Sequence, residues 1–246
     1  MSIPKIIHYC WFGGGAISPE NRKCMESWKK YCPDYKIIEW NDQNFDISTN
    51  RYAQQAYEAK KYAFVSDYVR LAVLYEYGGI YLDTDVELVR PLDELLELPG
   101  FMGFQTNNEV ATGLGFGARK GNSVVQALLR DYDALDFLKA DGSADLTPCP
   151  ERNTRVLQAM GVRKDGTRQS IAEMEIFPAE YFCPMDFYSR ELRVTPKTYS
   201  IHRYAESWKP KPSAALVSSS KVREASFSCS FSSASFRSGY LAPSAG

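Results

Sequence analysis

The chain has no apolar run of 18 residues or more, so no membrane span is expected. Its opening, MSIPKIIHYCWFGGG, carries one lysine and too short an apolar run for a signal peptide. It reads instead as a strand of the mature protein. Net charge is only −1, which removes any bulk electrostatic reason to expect a nucleic-acid partner. None of the six cysteines (Cys10, Cys24, Cys32, Cys149, Cys183, Cys229) pairs as C-x-x-C, and 246 residues do not need disulfide staples. Reduced thiols in a cytoplasmic protein are the expectation. No G-x-G-x-x-G fingerprint follows the first strand, so a dinucleotide cofactor is not indicated. Internal repeats are absent. What is present is 44% hydrophobic and 13% aromatic residues, enough for a substantial core in one large domain.

The opening elements read strand–helix–strand. Lys5 to Trp11 is an apolar run of strand length closed by Gly13-Gly14-Gly15. Ser18-Pro19 has the form of an N-cap followed by proline at the first helical position, and Pro33 stops that helix. Tyr35 to Trp40 is a second strand. This order argues for an α/β fold with a parallel sheet. Helices are expected over about 51–61, 63–77, 122–138 and 152–160, with residues 139–150 as a polar loop. Pro91 opens a short helix through Leu96. Further strands are expected at Ile80–Leu82, Val86–Val89, Phe101–Gln105, Leu114–Ala118, Glu175–Phe177 and Thr198–His202. From Ser213 the chain is serine-rich with scattered phenylalanine and no period. Residues 1–212 are therefore expected to fold, and 213–246 to form a disordered tail or an out-of-frame extension.

The segment GGIYLDTDVE, residues 78–87, places two aspartates one residue apart at the end of a short buried strand. Side chains so spaced point to opposite faces of an extended strand, but a turn at the strand end lets Asp83 and Asp85 approach one point. Two such carboxylates repel unless a cation or proton neutralises them, and hard oxygen ligands suit Mg²⁺ or Mn²⁺ with substrate phosphates completing the shell. Taken alone, a pair so spaced is a weak signal, and a solvated acidic turn accounts for it as well. Asp67 and Arg70, three apart on the preceding helix, share a face and suit either a sugar's hydroxyls or a surface ion pair. Trp11, before the glycine loop, suits stacking on a planar base or core packing. His202 follows a late strand, with Ser207 and Trp208 five and six residues on.

Three blocks, IPKIIHYCWFGG, SDYVRLAVLYEYGGIYLDTDVELVRPL and HRYAESW, occur in this order across residues 3 to 209. The chain thereby resembles the DXD-containing glycosyltransferases of family 32, the bacterial capsular and polysaccharide enzymes and fungal mannosyltransferases. It is more distantly similar to the catalytic domains of the large clostridial glucosylating toxins. The resemblance implies a GT-A fold, a Rossmann-like, mostly parallel sheet with helices on both faces. It also implies a nucleotide-sugar donor, a divalent metal (Mn²⁺ or Mg²⁺) and transfer with retention. Carried over by position, Asp85 would be the direct metal ligand and Asp83 would contact ribose and the metal shell. Asp67 and Arg70 would hold the donor sugar, and Trp11 would stack on the base. His202 would serve the metal or diphosphate, and Ser207 and Trp208 would close over the diphosphate. Thr112-Gly113-Leu114 stands where the family's pattern has an asparagine–glycine pair, a departure on the acceptor side.

The resulting expectation is a retaining glycosyltransferase, cytoplasmic and bacterial, with peripheral contact at the inner face of the membrane. It would move sugar, in UDP form, to a hydroxyl of a saccharide or lipid-linked saccharide acceptor in surface polysaccharide synthesis. Two alternatives stay open. One is a nucleotide-sugar hydrolase or nucleotidyltransferase. The other is a non-catalytic nucleotide-sugar-binding module.

Overall fold

A computed structural model describes residues 2–205. Ser207, Trp208 and the serine-rich segment lie outside the described residues. The elements are β1 (Ile6–Cys10), α1 (Pro19–Tyr31), β2 (Lys36–Trp40), α2 (Arg51–Glu58), α3 (Tyr62–Tyr77), β3 (Gly79–Tyr81), β4 (Val86–Leu88) and β5 (Gly100–Phe104). They continue with β6 (Val110–Ala111), β7 (Phe116–Ala118), α4 (Ser123–Asp133), α5 (Cys149–Ala159), β8 (Gln169–Ile171), β9 (Met174–Phe177), α6 (Ala179–Phe182) and β10 (Ser200–His202).

Eight strands form one mixed sheet in the order β2-β1-β3-β7-β5-β9-β8, with β6 paired to β5. Pairing is parallel through β2–β1–β3 and again between β5 and β9, while β7 runs antiparallel between β3 and β5. The parallel half is the strand–helix–strand unit expected from the opening. β4 and β10 make a separate antiparallel pair.

Side-chain alternation sorts the core into two layers, as the period of a strand requires. Tyr81, Met102, Phe104, Phe116, Ala118, Met174 and Ile176 face one side, where α2, α3, α4 and α5 pack. Ile7, Tyr9, Ile80, Leu82, Phe101 and Phe177 face the other, with Trp28 of α1 and Phe182 of α6. The α/β expectation, with helices on both faces, therefore holds. No helix among the described residues is long and apolar enough to cross a membrane.

Local chemistry explains where the elements begin. Ser18 caps α1 by accepting from the Asn21 backbone N–H, and Pro19 opens the helix. Trp28, fully buried, donates Nε1–H to the Val86 carbonyl at 2.7 Å and ties α1 to β4. Gly79 has φ of 108°, and a Cβ there would lie 2.8 Å from the Ile6 carbonyl and 2.9 Å from His8 Nε2, so only glycine fits between β1 and α3. His8 is enclosed: Nε2 donates to the Gly78 carbonyl at 2.9 Å and Nδ1 accepts from Trp40 Nε1 at 3.0 Å. A carbonyl can only accept and an indole N–H can only donate, so these partners fix the neutral Nε2–H tautomer. Burial pushes its pKa down to about 4.

Several boundaries differ from the expectation, and two have a clear physical cause. The helix expected to run to about residue 138 ends at Asp133, because the Phe137 and Leu138 N–H groups bond to Gln55 Oε1 on α2 instead of to their own helix. The helix expected from Arg152 begins at Cys149, inside the expected polar loop. Pro150 occupies its first turn, where proline's missing N–H costs nothing. The short strands β6 and β8, two and three residues long, were not expected. All five described cysteines are free thiols.

Candidate active site

Asp83 to Val86 is a turn, closed by the Val86 N–H on the Asp83 carbonyl at 3.0 Å. Between the two aspartates, buried Thr84 accepts from Asn21 Nδ2 of α1 at 2.9 Å. The middle residue is thus pinned inward and the two carboxylates are released toward one another. β10 then pairs with β4 so that His202 lies opposite Val86, one residue past Asp85. One donor atom from each of Asp83, Asp85 and His202 lies within 4.8 Å of the others.

Each member is held. His202 Nε2 sits 3.2 Å from Asp85 Oδ1, and the Ala205 backbone N–H donates to Asp85 Oδ2 at 2.8 Å. Asp83 Oδ1 accepts from Arg70 Nη2 and from the Tyr81 hydroxyl, each at 3.0 Å. Burial works to raise the Asp85 pKa, but the charge and hydrogen bond of His202 outweigh it and hold the carboxyl at about 2. Burial likewise works to lower the His202 pKa, and Asp85 overcomes it so that the imidazole titrates above its usual value.

The donor set fits a hard divalent cation. Two carboxylates and an imidazole suit Mn²⁺ or Mg²⁺. Ligand atoms around such an ion sit roughly 3–4 Å apart, so small inward shifts bring all three onto one centre. His202 Nδ1 is buried with no hydrogen-bond partner among the described residues, an orphaned donor or acceptor in the same cluster.

Asp67 and Arg70 are not a surface ion pair. Both are buried on α3, with Arg70 Nη1 3.1 Å from Asp67 Oδ1. Arg70 therefore bridges Asp67 and Asp83, and its guanidinium carbon lies 4.9 Å from the Tyr81 ring centroid. Burial lifts the Asp67 carboxyl to about 6 against the pull of Arg70. Trp11 stands just past the carboxyl end of β1, beside the parallel β3 that delivers the aspartates. Its ring is part-buried and its Nε1 donates to the Gly15 carbonyl, closing the glycine loop. Five of the expected residues (Asp67, Arg70, Asp83, Asp85, His202) are thus brought together, and Trp11 shares their end of the sheet.

Residues between the motifs complete the wall. Gly113 accepts from the Asp83 backbone N–H at 3.1 Å, and a Cβ on it would fall 2.0 Å from Asp83 Oδ2. Tyr81 was legible in principle, since it lies two residues before Asp83 and shares its face.

Residues 18–101 match a family described as a glycosyltransferase sugar-binding region containing a DXD motif. The DXD of this chain is Asp83-Thr84-Asp85, and the matched segment also contains Asp67 and Arg70. The inositol phosphoceramide mannosyltransferase 3 of Schizosaccharomyces pombe is 30% identical over 151 residues, covering 55% of this chain and 39% of that protein. The human alpha-1,4-N-acetylglucosaminyltransferase is 28% identical over 148 residues, covering 60% of this chain and 38% of that one. The chain thus spans about two fifths of the length of these relatives. Among solved structures, the PaToxG glycosyltransferase superposes with a TM-score of 0.48 at 22% identity, over 64% of this chain and 70% of that one.

Proposed function

We propose that the chain is a metal-dependent retaining glycosyltransferase acting on a nucleotide-sugar donor, in UDP form, with Mn²⁺ or Mg²⁺. The observation that carries this is the meeting of Asp83, Asp85 and His202 beside the Asp67–Arg70 pair. One end of the cluster suits a metal–diphosphate and the other suits sugar hydroxyls. The cation, when bound, would neutralise charge growing on the leaving diphosphate.

The chain's own residues do the rest. Asp85 and His202 would hold the cation, with Asp83 at its edge and against the ribose. Arg70 keeps Asp83 and Asp67 at fixed separation, so that sugar and diphosphate are oriented together. The acceptor hydroxyl oxygen would bond to the anomeric carbon on the face the diphosphate leaves, the carbon–oxygen bond to the diphosphate would break, and the hydroxyl proton would pass to the departing phosphate oxygen. Trp11 would stack on the base. The acceptor would be a hydroxyl of a saccharide or lipid-linked saccharide in surface polysaccharide synthesis, and the enzyme would work in the cytoplasm in peripheral contact with a membrane.

The test is a panel of UDP- and GDP-sugars with Mn²⁺, scored by release of nucleotide with and without saccharide acceptors. Turnover with at least one donor, abolished by chelation, is expected. Release of sugar phosphate instead, with the nucleoside monophosphate passing to another group, would identify a nucleotidyltransferase, and UDP binding without turnover of any donor would identify a binding module.

A further inference from the structure

Behind the Asp67–Arg70 pair lies a buried polar socket built by two elements that carry no motif. Thr112 follows β6, and Cys149 and Asn153 are one turn apart on α5. All three are buried. Asn153 Nδ2 donates to Thr112 Oγ1 at 3.1 Å and to Cys149 Sγ at 3.2 Å, and Thr112 Oγ1 lies 3.4 Å from the same sulfur. On the other side, Arg70 Nη1 reaches Thr112 Oγ1 at 3.5 Å and Cys149 Sγ at 3.7 Å. Arg70 Nη1 in turn lies 3.1 Å from Asp67 Oδ1.

We infer that Cys149 is a positioning residue, which with Thr112 and Asn153 sets Asp67 and Arg70 in the geometry the donor sugar requires. This rests on the activity proposed above. Two features support it beyond the distances. Burial pushes the thiol up to about 12, so the sulfur keeps its proton and serves as a hydrogen-bonding group within the socket rather than as a nucleophile. Asn153 Oδ1 and Arg70 Nε are buried with no hydrogen-bond partner among the described residues. The socket is therefore one bond short at two points, and a change at Cys149 has little slack to absorb it. The socket side chains reach Asp83 through Arg70, whereas Asp85 is held by His202 and the Ala205 N–H. Their loss should consequently weaken the sugar-dependent part of catalysis more than the metal–diphosphate part.

The test compares Cys149→Ala, Cys149→Ser and Thr112→Val in the full chain. Three quantities are read: melting temperature, affinity for UDP with Mn²⁺ by calorimetry, and steady-state hydrolysis of the UDP-sugar the unmodified protein accepts. Cys149→Ala should lower kcat/KM at least about tenfold, as expected for an unpaired buried group beside the substrate, while UDP affinity stays within about twofold. Cys149→Ser, which keeps a donor and an acceptor, should recover most of the loss, and Thr112→Val should repeat it in milder form. Unchanged kcat/KM in Cys149→Ala would overturn the inference. So would an equal loss of UDP affinity and turnover, or a serine variant no better than alanine. If Cys149→Ala does not fold, the isosteric Thr112→Val reads the same contrast. If the unmodified protein hydrolyses no nucleotide sugar but the Asp83–Asp85–His202 cluster binds Mn²⁺–UDP, the proposed activity fails, and this inference with it.

Discussion

His8 and His202 are both enclosed by protein, yet their surroundings drive them to opposite charge states. His8 is fully buried between a carbonyl that only accepts and an indole that only donates, with no carboxylate among its hydrogen-bond partners. Burial wins there and the imidazole stays neutral down to about pH 4. His202 retains 17% side-chain exposure and faces Asp85 at 3.2 Å, and the carboxylate wins. Depth of burial alone therefore does not set the charge of a histidine. The nearest ionised partner does, and that separates the structural histidine of this chain from the candidate ligand.

The most disruptive way to break the contrast is Asp85→Ala. Nucleotide-sugar turnover should fall by about 100- to 1000-fold or more. In metal-free protein the His202 pKa, followed by NMR titration, should fall, since Asp83 alone then opposes burial. A His202 that stays elevated in this variant would show that Asp85 is not the cause.

Gly113→Ala is a gentler probe of the same point. Its Cβ must displace Asp83 Oδ2 while leaving the Asp85–His202 pair in place. Donor turnover should fall by about tenfold or more. His202 should keep most of its elevation, because Asp85 ranks above Asp83 among the groups that raise it.

His8→Leu sharpens the other side. Trp40 Nε1 and the Gly78 carbonyl lose their partner, at a cost of about 1–3 kcal/mol in denaturant unfolding at pH 7. The two histidines also give opposite pH signatures. The folded pKa of His8 lies below its unfolded value of about 6.5, so its contribution is present above that pH and is lost as pH falls toward 4, by about 3 kcal/mol. The folded pKa of His202 is raised, so its contribution is present below pH 6.5 and is lost as pH rises through the folded value. Unfolding curves of His8→Leu should be flatter between pH 6.5 and 4 than those of the unmodified protein.

Ser18→Ala is the smallest change. Loss of the cap on α1 should cost about 1 kcal/mol. Because α1 holds Thr84 through Asn21, any shift in the His202 pKa in this variant would mean the turn is less rigid than its hydrogen bonds imply.

Much of this arrangement was readable from local chemistry. Ser18-Pro19 announced a helix start, Gly78-Gly79 a helix end, and the opening elements an α/β sheet. Asp67, Arg70, Asp83, Asp85 and His202 carried charge or ligand character in distinctive settings. The rest was hidden for physical reasons. Pro148 and Pro150 mark loops in most settings, yet Pro150 sits in the first turn of α5. The end of α4 is decided by a distant side chain, Gln55. Strands of two or three residues carry too few positions for a period. Thr112, Cys149 and Asn153 are uncharged and far apart in the chain, so only the fold shows that they share a socket.

The ladder between β4 and β10 has a consequence for biosynthesis. Asp85 and the backbone N–H that clasps it, that of Ala205, are separated by 120 residues. The aspartate turn therefore leaves the ribosome long before its imidazole partner exists. A nascent chain halted before β10 carries two carboxylates and no third ligand, and closing that long loop is a late, entropically costly event. Any competence of this cluster to bind a cation would thereby report that most of the domain has been made and folded.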